Sequence, residues 1–283
     1  MSRLTWFITG SSRGFGWELA RQALERGDAV VATARDPEVV ETTLAGYGDR
    51  LLALALDVTD ELQAGDAVVH AVDRFGRIDV LVNNAGRGLL GAVEEASARE
   101  VRSAFETNVF GMLGLLRAAL PVMRRQRFGR ILNVSSVAGF AVGPGWGVYG
   151  STKFALEGLS EALRAELAPL GIAVTIVEPG TFRTDFLDGS SLRRAAQPID
   201  DYAATAGAAR SWADGANHVQ MGDPAKGAAA MIAVATADDP PLRLQLGADC
   251  VARVEQKLTA VAQELDRWRP LALSTAVEVA RAA

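Results

Sequence analysis

Short β-rich runs alternate with longer segments of helical period along the chain. Runs near Leu4–Thr9, Ala29–Ala34, Leu51–Asp57, Val80–Asn83, Gly129–Ser135, Ala173–Glu178 and Leu242–Leu246 predict strands. Helical periodicity between them predicts helices over Gly14–Arg26, Pro37–Tyr47, Glu61–Phe75, Ala98–Arg124, Val148–Leu170 and Pro224–Thr236, with a last one over Asp249–Trp268. V-V-A-T-A and V-T-I-V are almost continuously apolar, as strands covered on both faces should be. Alternation of this kind implies an α/β fold, a doubly wound parallel sheet with right-handed crossovers.

At 283 residues the pattern is read as a single domain, 1–283, because such sheets grow by adding βα units. Periodicity fades only over Phe186–Gly222, where polar and small residues mix. So long an irregular stretch inside a compact domain is read as a variable substrate-binding insertion, partly helical and lying over the site. Residues 249–283 are read as a C-terminal helical extension, with Pro270–Ala283 as either a frayed helix or a contact to a neighbouring subunit.

Composition removes several classes of function. A formal charge of −5 and a pI near 5.2 exclude the basic stripe of a nucleic-acid binder. The single cysteine, Cys250, suits a reducing compartment and reads as a small buried residue. The first apolar run is too short for a secretory signal, and nothing approaches the roughly 18 apolar residues of a membrane span. A cytoplasmic protein is the expectation. No His, Cys and Asp cluster has metal-ligand spacing, so no metal is expected.

Chemistry enters at two places. The first predicted strand runs into Gly10-Ser11-Ser12-Arg13-Gly14-Phe15-Gly16. Gly10 suits a tight turn, Gly14 a close backbone approach to a pyrophosphate, and Gly16 helix–strand packing. The helix N-terminus that follows offers free N–H groups to phosphates. Glycines used merely for packing are the plainer reading, but their place after the first strand favours a dinucleotide site over Gly10, Ser12, Arg13, Gly14, Phe15 and Gly16. At the end of the second strand stands Arg35, where an NAD site usually has a carboxylate. Arg13 and Arg35 together suit a 2′-phosphate and favour NADP(H) over NAD(H), although Asp36 is close enough to meet a ribose instead. Asp57 and Val58 follow the third strand and are candidates for the adenine, or Asp57 simply caps a turn. Asn84, Ala85 and Gly86 follow the fourth, at the switch point.

The second place is Y-G-S-T-K, Tyr149 to Lys153. Spacing i, i+4 puts a phenol and an ammonium on one helix face. At about 4 Å and an effective dielectric of about 20, the ammonium contributes roughly 4 kcal/mol. That is about three pKa units from a reference near 10, enough to bring the phenol towards neutrality as a general acid and base. Ser136, thirteen residues earlier, ends the fifth strand, where its hydroxyl can polarise a carbonyl. Ser135 points to the opposite side.

These motifs together resemble the short-chain dehydrogenase/reductase family: T-G-S-S-R-G-F-G, N-N-A-G, S-V-A-G…Y-G-S-T-K and P-G-T-F-R-T. The resemblance covers roughly the first two-thirds of the chain. It implies a Rossmann-like sheet of seven strands in order 3-2-1-4-5-6-7. It also implies a catalytic set of Asn108, Ser136, Tyr149 and Lys153: serine orients the carbonyl, tyrosine transfers the proton, and lysine holds the nicotinamide ribose. Asn108 corresponds to an asparagine that anchors a relay water. Pro179, Gly180, Phe182 and Thr184 fall in the segment against the nicotinamide. Homodimers or homotetramers through the two long helices are implied as well.

The expectation is therefore an NADP(H)-dependent oxidoreductase, a carbonyl reductase acting on a small-molecule ketone, aldehyde or secondary alcohol. The alternatives are an NADP-binding regulator without chemistry, or an epimerase or dehydratase on the same fold. Phe140, Trp146, Phe182 and Phe186 point to an apolar substrate, with Trp212 as a further candidate from the insertion. His70 reads as solvent-facing, His218 as an insertion residue without a role, and Arg193-Arg194 as a solvated face.

Overall fold

The computed structural model describes residues 3–277, so the end of the expected C-terminal extension, 278–283, lies outside the described residues. Seven parallel strands form the central sheet: β1 (Thr5–Thr9), β2 (Ala29–Ala34), β3 (Leu51–Ala55), β4 (Val80–Asn83), β6 (Gly129–Val134), β7 (Ile172–Pro179) and β9 (Arg243–Leu246). Their order is β3-β2-β1-β4-β6-β7-β9. Two three-residue strands, β5 (Gly88–Leu90) and β8 (Leu192–Arg194), pair separately. With those two set aside, the order is the one the resemblance implied.

The near-continuous apolar runs have the physical reason expected of them. In β1, Trp6 and Ile8 join one core while Phe7 joins the other; Val30 and Ala32 oppose Val31 in β2 in the same way. The first core is closed by α1 (Gly14–Glu25), α2 (Glu38–Thr43) and α8 (Pro224–Ala235). The second is closed by α3 (Glu61–Phe75), α5 (Gly111–Gln126) and α6 (Gly147–Leu167). Both faces of β1, β2 and β4 are fully buried.

The expected long helix over Ala98–Arg124 is instead α4 (Ala98–Phe105), a π-turn over Glu106–Phe110, and α5. A π-turn adds a residue to the helical turn and commonly marks a functional site; here it carries Asn108. The helix expected over Pro37–Tyr47 stops at Thr43 and continues as a 3-10 segment, Ala45–Arg50. Within 186–222 lie β8, a 3-10 turn at Asp200–Tyr202, a π-turn at Ala203–Gly207 and α7 (Ala208–Ala216). The segment's last residue, Gly222, returns to bridge Phe182, four residues before its start. The last helix, α9 (Ala248–Leu273), is five residues longer than its expected end at Trp268.

Candidate active site

The carboxyl ends of the strands open into a cavity of about 780 Å³. Gly10, Ser12, Arg13, Gly14, Phe15, Arg35, Asp57, Val58, Asn84, Ala85, Gly86, Ser136, Tyr149, Lys153, Pro179, Gly180, Phe182 and Thr184 all line it. Two nominated residues stand behind the wall instead. Gly16 packs under the glycine turn, and Asn108 braces the floor.

The turn after β1 is built around backbone crowding. Gly10 has φ +69°, a conformation that glycine adopts without strain. A methyl group on Gly16 would sit 2.2 Å from the Gly10 carbonyl oxygen, so only glycine lets α1 come this close. Asn84 fastens the turn from across the sheet, donating from Nδ2 to the carbonyls of Thr9 at 2.8 Å and Gly10 at 3.2 Å. The first turn of α1 holds no acidic residue and no side chain caps it, which leaves its N–H groups to face the cavity. Arg35 is exposed at the rim, while Arg13 donates to Ser191 at 2.8 Å and so touches the insertion. These donors fit a dinucleotide phosphate. Asp57 accepts from the Thr59 amide and hydroxyl at 3.0 and 2.8 Å, so it does cap its turn while also lining the cavity.

α6 turns one face towards the sheet, burying Tyr149, Lys153, Leu156, Glu157 and Ser160. Lys153 lies with Nζ 5.8 Å from the centre of the Tyr149 ring and donates to the Val134 carbonyl at 2.8 Å. Burial pushes the Tyr149 phenol up to about 12, with the Ser136 hydroxyl working against it. The ammonium expected to draw the phenol towards neutrality spends a hydrogen bond on the backbone of β6 instead. Burial also pulls the Lys153 ammonium down to about 8, opposed by the charge of Glu157. Trp146 and Phe186 flank the phenol at 5.8 and 5.5 Å between ring centres.

Ser136 accepts from the Ala138 amide at 3.1 Å, which fixes the turn after β6 and leaves Ser136 on the cavity wall. Ser135 goes the other way: a methyl group on Gly139 would meet its Oγ at 2.4 Å and Glu157 Oε1 at 3.2 Å. Behind Lys153, Arg243 bridges two buried carboxyls, Glu157 Oε2 at 3.1 Å and Glu178 Oε1 at 3.2 Å. Burial pushes Glu157 up to about 7. Asn108 donates to Thr152 at 3.0 Å and to the Arg87 carbonyl at 2.9 Å, and accepts from the Arg87 amide. It thereby ties the π-turn to α6.

Several lining residues escaped the sequence reading. Arg87 directly follows N-N-A-G, which was a usable signal; Gln220 and Arg253 had none. Phe140 is not in the wall: it packs with Val137, Cys250 and Val254. Trp212 does line the cavity, although half-exposed. Cys250 is buried as expected, its thiol donating to the Glu178 carbonyl at 3.0 Å. His70 is exposed. His218 is joined by Asp185 and Asp188, whose ligand atoms lie within 4.8 Å of one another, a grouping that chain spacing does not reveal. Asp188 is already taken up by Asn217 and His218.

The sheet with this crevice defines the class of doubly wound nucleotide-binding dehydrogenases. The chain belongs to the short chain dehydrogenase family, whose sequence profile matches residues 5–194. It is 39% identical over 272 residues to the oxidoreductase BOA17 of Botryotinia fuckeliana, covering 96% of this chain and 98% of that protein. A short-chain dehydrogenase from Streptomyces avermitilis is similar in structure, with a TM-score of 0.92, 42% identity, and coverage of 98% of this chain and 100% of the other. A Burkholderia phymatum relative in complex with NAD shares the fold at TM-score 0.83 and 24% identity over 93% and 95% of the two chains. ElxO with NADP bound does so at 0.73 and 26%, over 89% and 100%. The protein is an oxidoreductase of this family. No helix among the described residues is long and apolar enough to cross a membrane.

Besides the pairing of β8 with β5, a buried carboxylate ties the insertion to the body of the protein. Glu95 accepts from Arg210 of α7 at 2.6 Å and from the amides of Ile199 at 2.8 Å and Ala92 at 2.7 Å. Arg210 first, then these amides, hold its carboxyl down at about 2 from an ordinary 4.5. A carboxylate depressed by folding stabilises fully above its unfolded value and loses that contribution as pH falls towards the folded one. Glu95→Gln should therefore lower the melting temperature at neutral pH, and the gap to wild type should shrink steadily below about pH 5. Thermal unfolding across that range checks it; a gap independent of pH would contradict the latch.

Proposed function

We propose that the protein is an NADP(H)-dependent carbonyl reductase, with Tyr149 as the proton donor to a ketone or aldehyde. The observation that carries this reading is the burial of Tyr149 on the wall of the crevice, beside Lys153 and Ser136. A bound NADPH would supply a hydride for the carbonyl carbon. Tyr149 donates to the carbonyl oxygen as charge develops there, and Ser136 offers that oxygen a second hydrogen bond. Lys153 holds the cofactor ribose and, as an ammonium, stabilises the phenolate left behind. Asn108 keeps the floor of this arrangement in register.

Arg13 and Arg35 support NADP over NAD, because a guanidinium pairs with a 2′-phosphate that NAD lacks. In this reading Asp57 and Val58 meet the adenine; Asn84, Ala85 and Gly86 line the ribose side; and Pro179, Gly180, Phe182 and Thr184 border the nicotinamide. Residues 186–222 act as the substrate-binding insertion, and with Trp146, Phe186 and Trp212 they suit an apolar substrate. A reducing, cytoplasmic setting and a homo-oligomer complete the proposal.

Two substitutions test it in an NADPH-oxidation screen over ketones and aldehydes. Tyr149→Phe should reduce kcat by at least about 100-fold, within the range expected for general acid catalysis, with NADPH affinity kept. Substantial residual turnover would remove the tyrosine from the reaction. Arg35→Asp should shift the ratio of kcat/KM for NADPH over NADH towards NADH by about tenfold or more, as the loss of a charged hydrogen bond implies. An unchanged ratio would show that Arg35 does not read the 2′-phosphate.

A further inference from the structure

The family profile ends at residue 194, yet two polar side chains on the wall of the crevice come from beyond it: Gln220 and Arg253. Arg253 stands on α9, where Cys250 and Val254 pack that helix against Val137 and Phe140 of the loop after β6. Its guanidinium donates from Nη2 to the Ala141 carbonyl in the same loop. Ala141 lies five residues beyond Ser136, across the 3-10 turn Val137–Gly139, a span of about 10 Å at about 2 Å per residue. Among the described residues Arg253 forms no salt bridge. Asp249, one turn back on α9, accepts instead from the Thr181 amide at 2.8 Å and hydroxyl at 2.9 Å. A guanidinium carries five N–H donors, so most of those on Arg253 remain for a ligand. Gln220 makes the same point independently. It is 5% exposed and its Oε1 has no hydrogen-bond partner, while its backbone carbonyl is pinned by Arg183 Nε at 3.2 Å. An unpaired buried amide is costly and marks a place for a polar group of a ligand.

Resting on the carbonyl-reductase reading, we propose that the substrate is an oxo acid: Arg253 takes its carboxylate, while Ser136 and Tyr149 take its ketone. The carbon chain lies against Trp146, Phe186, Leu187 and Trp212, which line the same cavity. The anion is not the 2′-phosphate assigned to Arg35. β2, which leads to Arg35, and β6, which leads to the Arg253 contact, stand three places apart in the sheet, about 14 Å at about 4.8 Å per strand. Arg13 and Arg87 are engaged elsewhere, by Ser191 at 2.8 Å and Ser103 at 2.6 Å. Arg253 therefore acts alone, and one guanidinium matches one negative charge. A phosphate dianion would leave a second charge uncompensated. A ketone at Ser136 and a carboxylate at Arg253 leave room for several carbons between them.

NADPH oxidation tests it with straight-chain oxo acids, the ketone at successive carbons, each beside its methyl ester. For the best-placed ketone, kcat/KM for the acid should exceed that for its ester by about tenfold or more, as a charged hydrogen bond implies. Arg253→Gln can still donate to the Ala141 carbonyl but carries no charge. In that variant the ratio should fall to about one through a higher KM for the acid, with NADPH affinity kept in a fluorescence titration. Arg253→Lys restores the charge without the planar fork and should recover part of the ratio. Equal kcat/KM for acid and ester in wild type, or a preference that survives Arg253→Gln, would overturn the inference while turnover of the esters left the reductase standing. Weaker NADPH binding in Arg253→Gln would assign the guanidinium to the cofactor and overturn it too. Failure of every acid and ester to turn over would sink the reductase reading, and this inference with it.

Discussion

α6 takes a phenol and an ammonium into the interior on one face, and the surrounding elements are arranged to tolerate that burial. Lys153 gives up bulk water for a hydrogen bond to the Val134 carbonyl at the end of β6. The charge of Glu157, one turn further along, offsets part of the desolvation, and Arg243 from β9 keeps Glu157 and Glu178 from repelling each other outright. Burial raises the Tyr149 phenol, with only the Ser136 hydroxyl working against it. In the proposed reaction the lysine would carry charge and the tyrosine the proton.

The same crowding organises the rest of the crevice. Gly16 allows α1 to press against the Gly10 carbonyl, Asn84 binds that carbonyl from the far side of β1, and the next residues of that loop lead to Arg87, whose backbone is held by Asn108. Asn108 in turn reaches Thr152 on α6, next to Lys153. A chain of short polar contacts thus links the phosphate turn to the proton-transfer helix. The insertion is joined to this frame by the pairing of β8 with β5 and by the ion pair of Glu95 with Arg210.

Much of this was legible in the sequence, for reasons that can be named. The doubly buried strands read as continuous apolar runs, and glycines at positions demanding positive φ or close approach announced the phosphate turn. Tyr149 and Lys153 were legible because helical spacing alone puts them together. What stayed hidden required three dimensions. The phenol's acidity depended on a desolvation that no local window contains, and Phe140 turned away from the cavity because α9 covers it. Asp185, Asp188 and His218 meet only after the insertion folds back. Glu95 and Arg210 are 115 residues apart and carry no local motif.

The central claim is that Tyr149 is a buried acid, held neutral by its surroundings. Ultraviolet difference titration of wild type against Tyr149→Phe isolates this phenol from the other tyrosines. The account predicts no phenolate absorbance from Tyr149 up to about pH 10, the reference value of an exposed tyrosine. A phenolate appearing near neutral pH would contradict it and restore an ammonium-acidified tyrosine in its place.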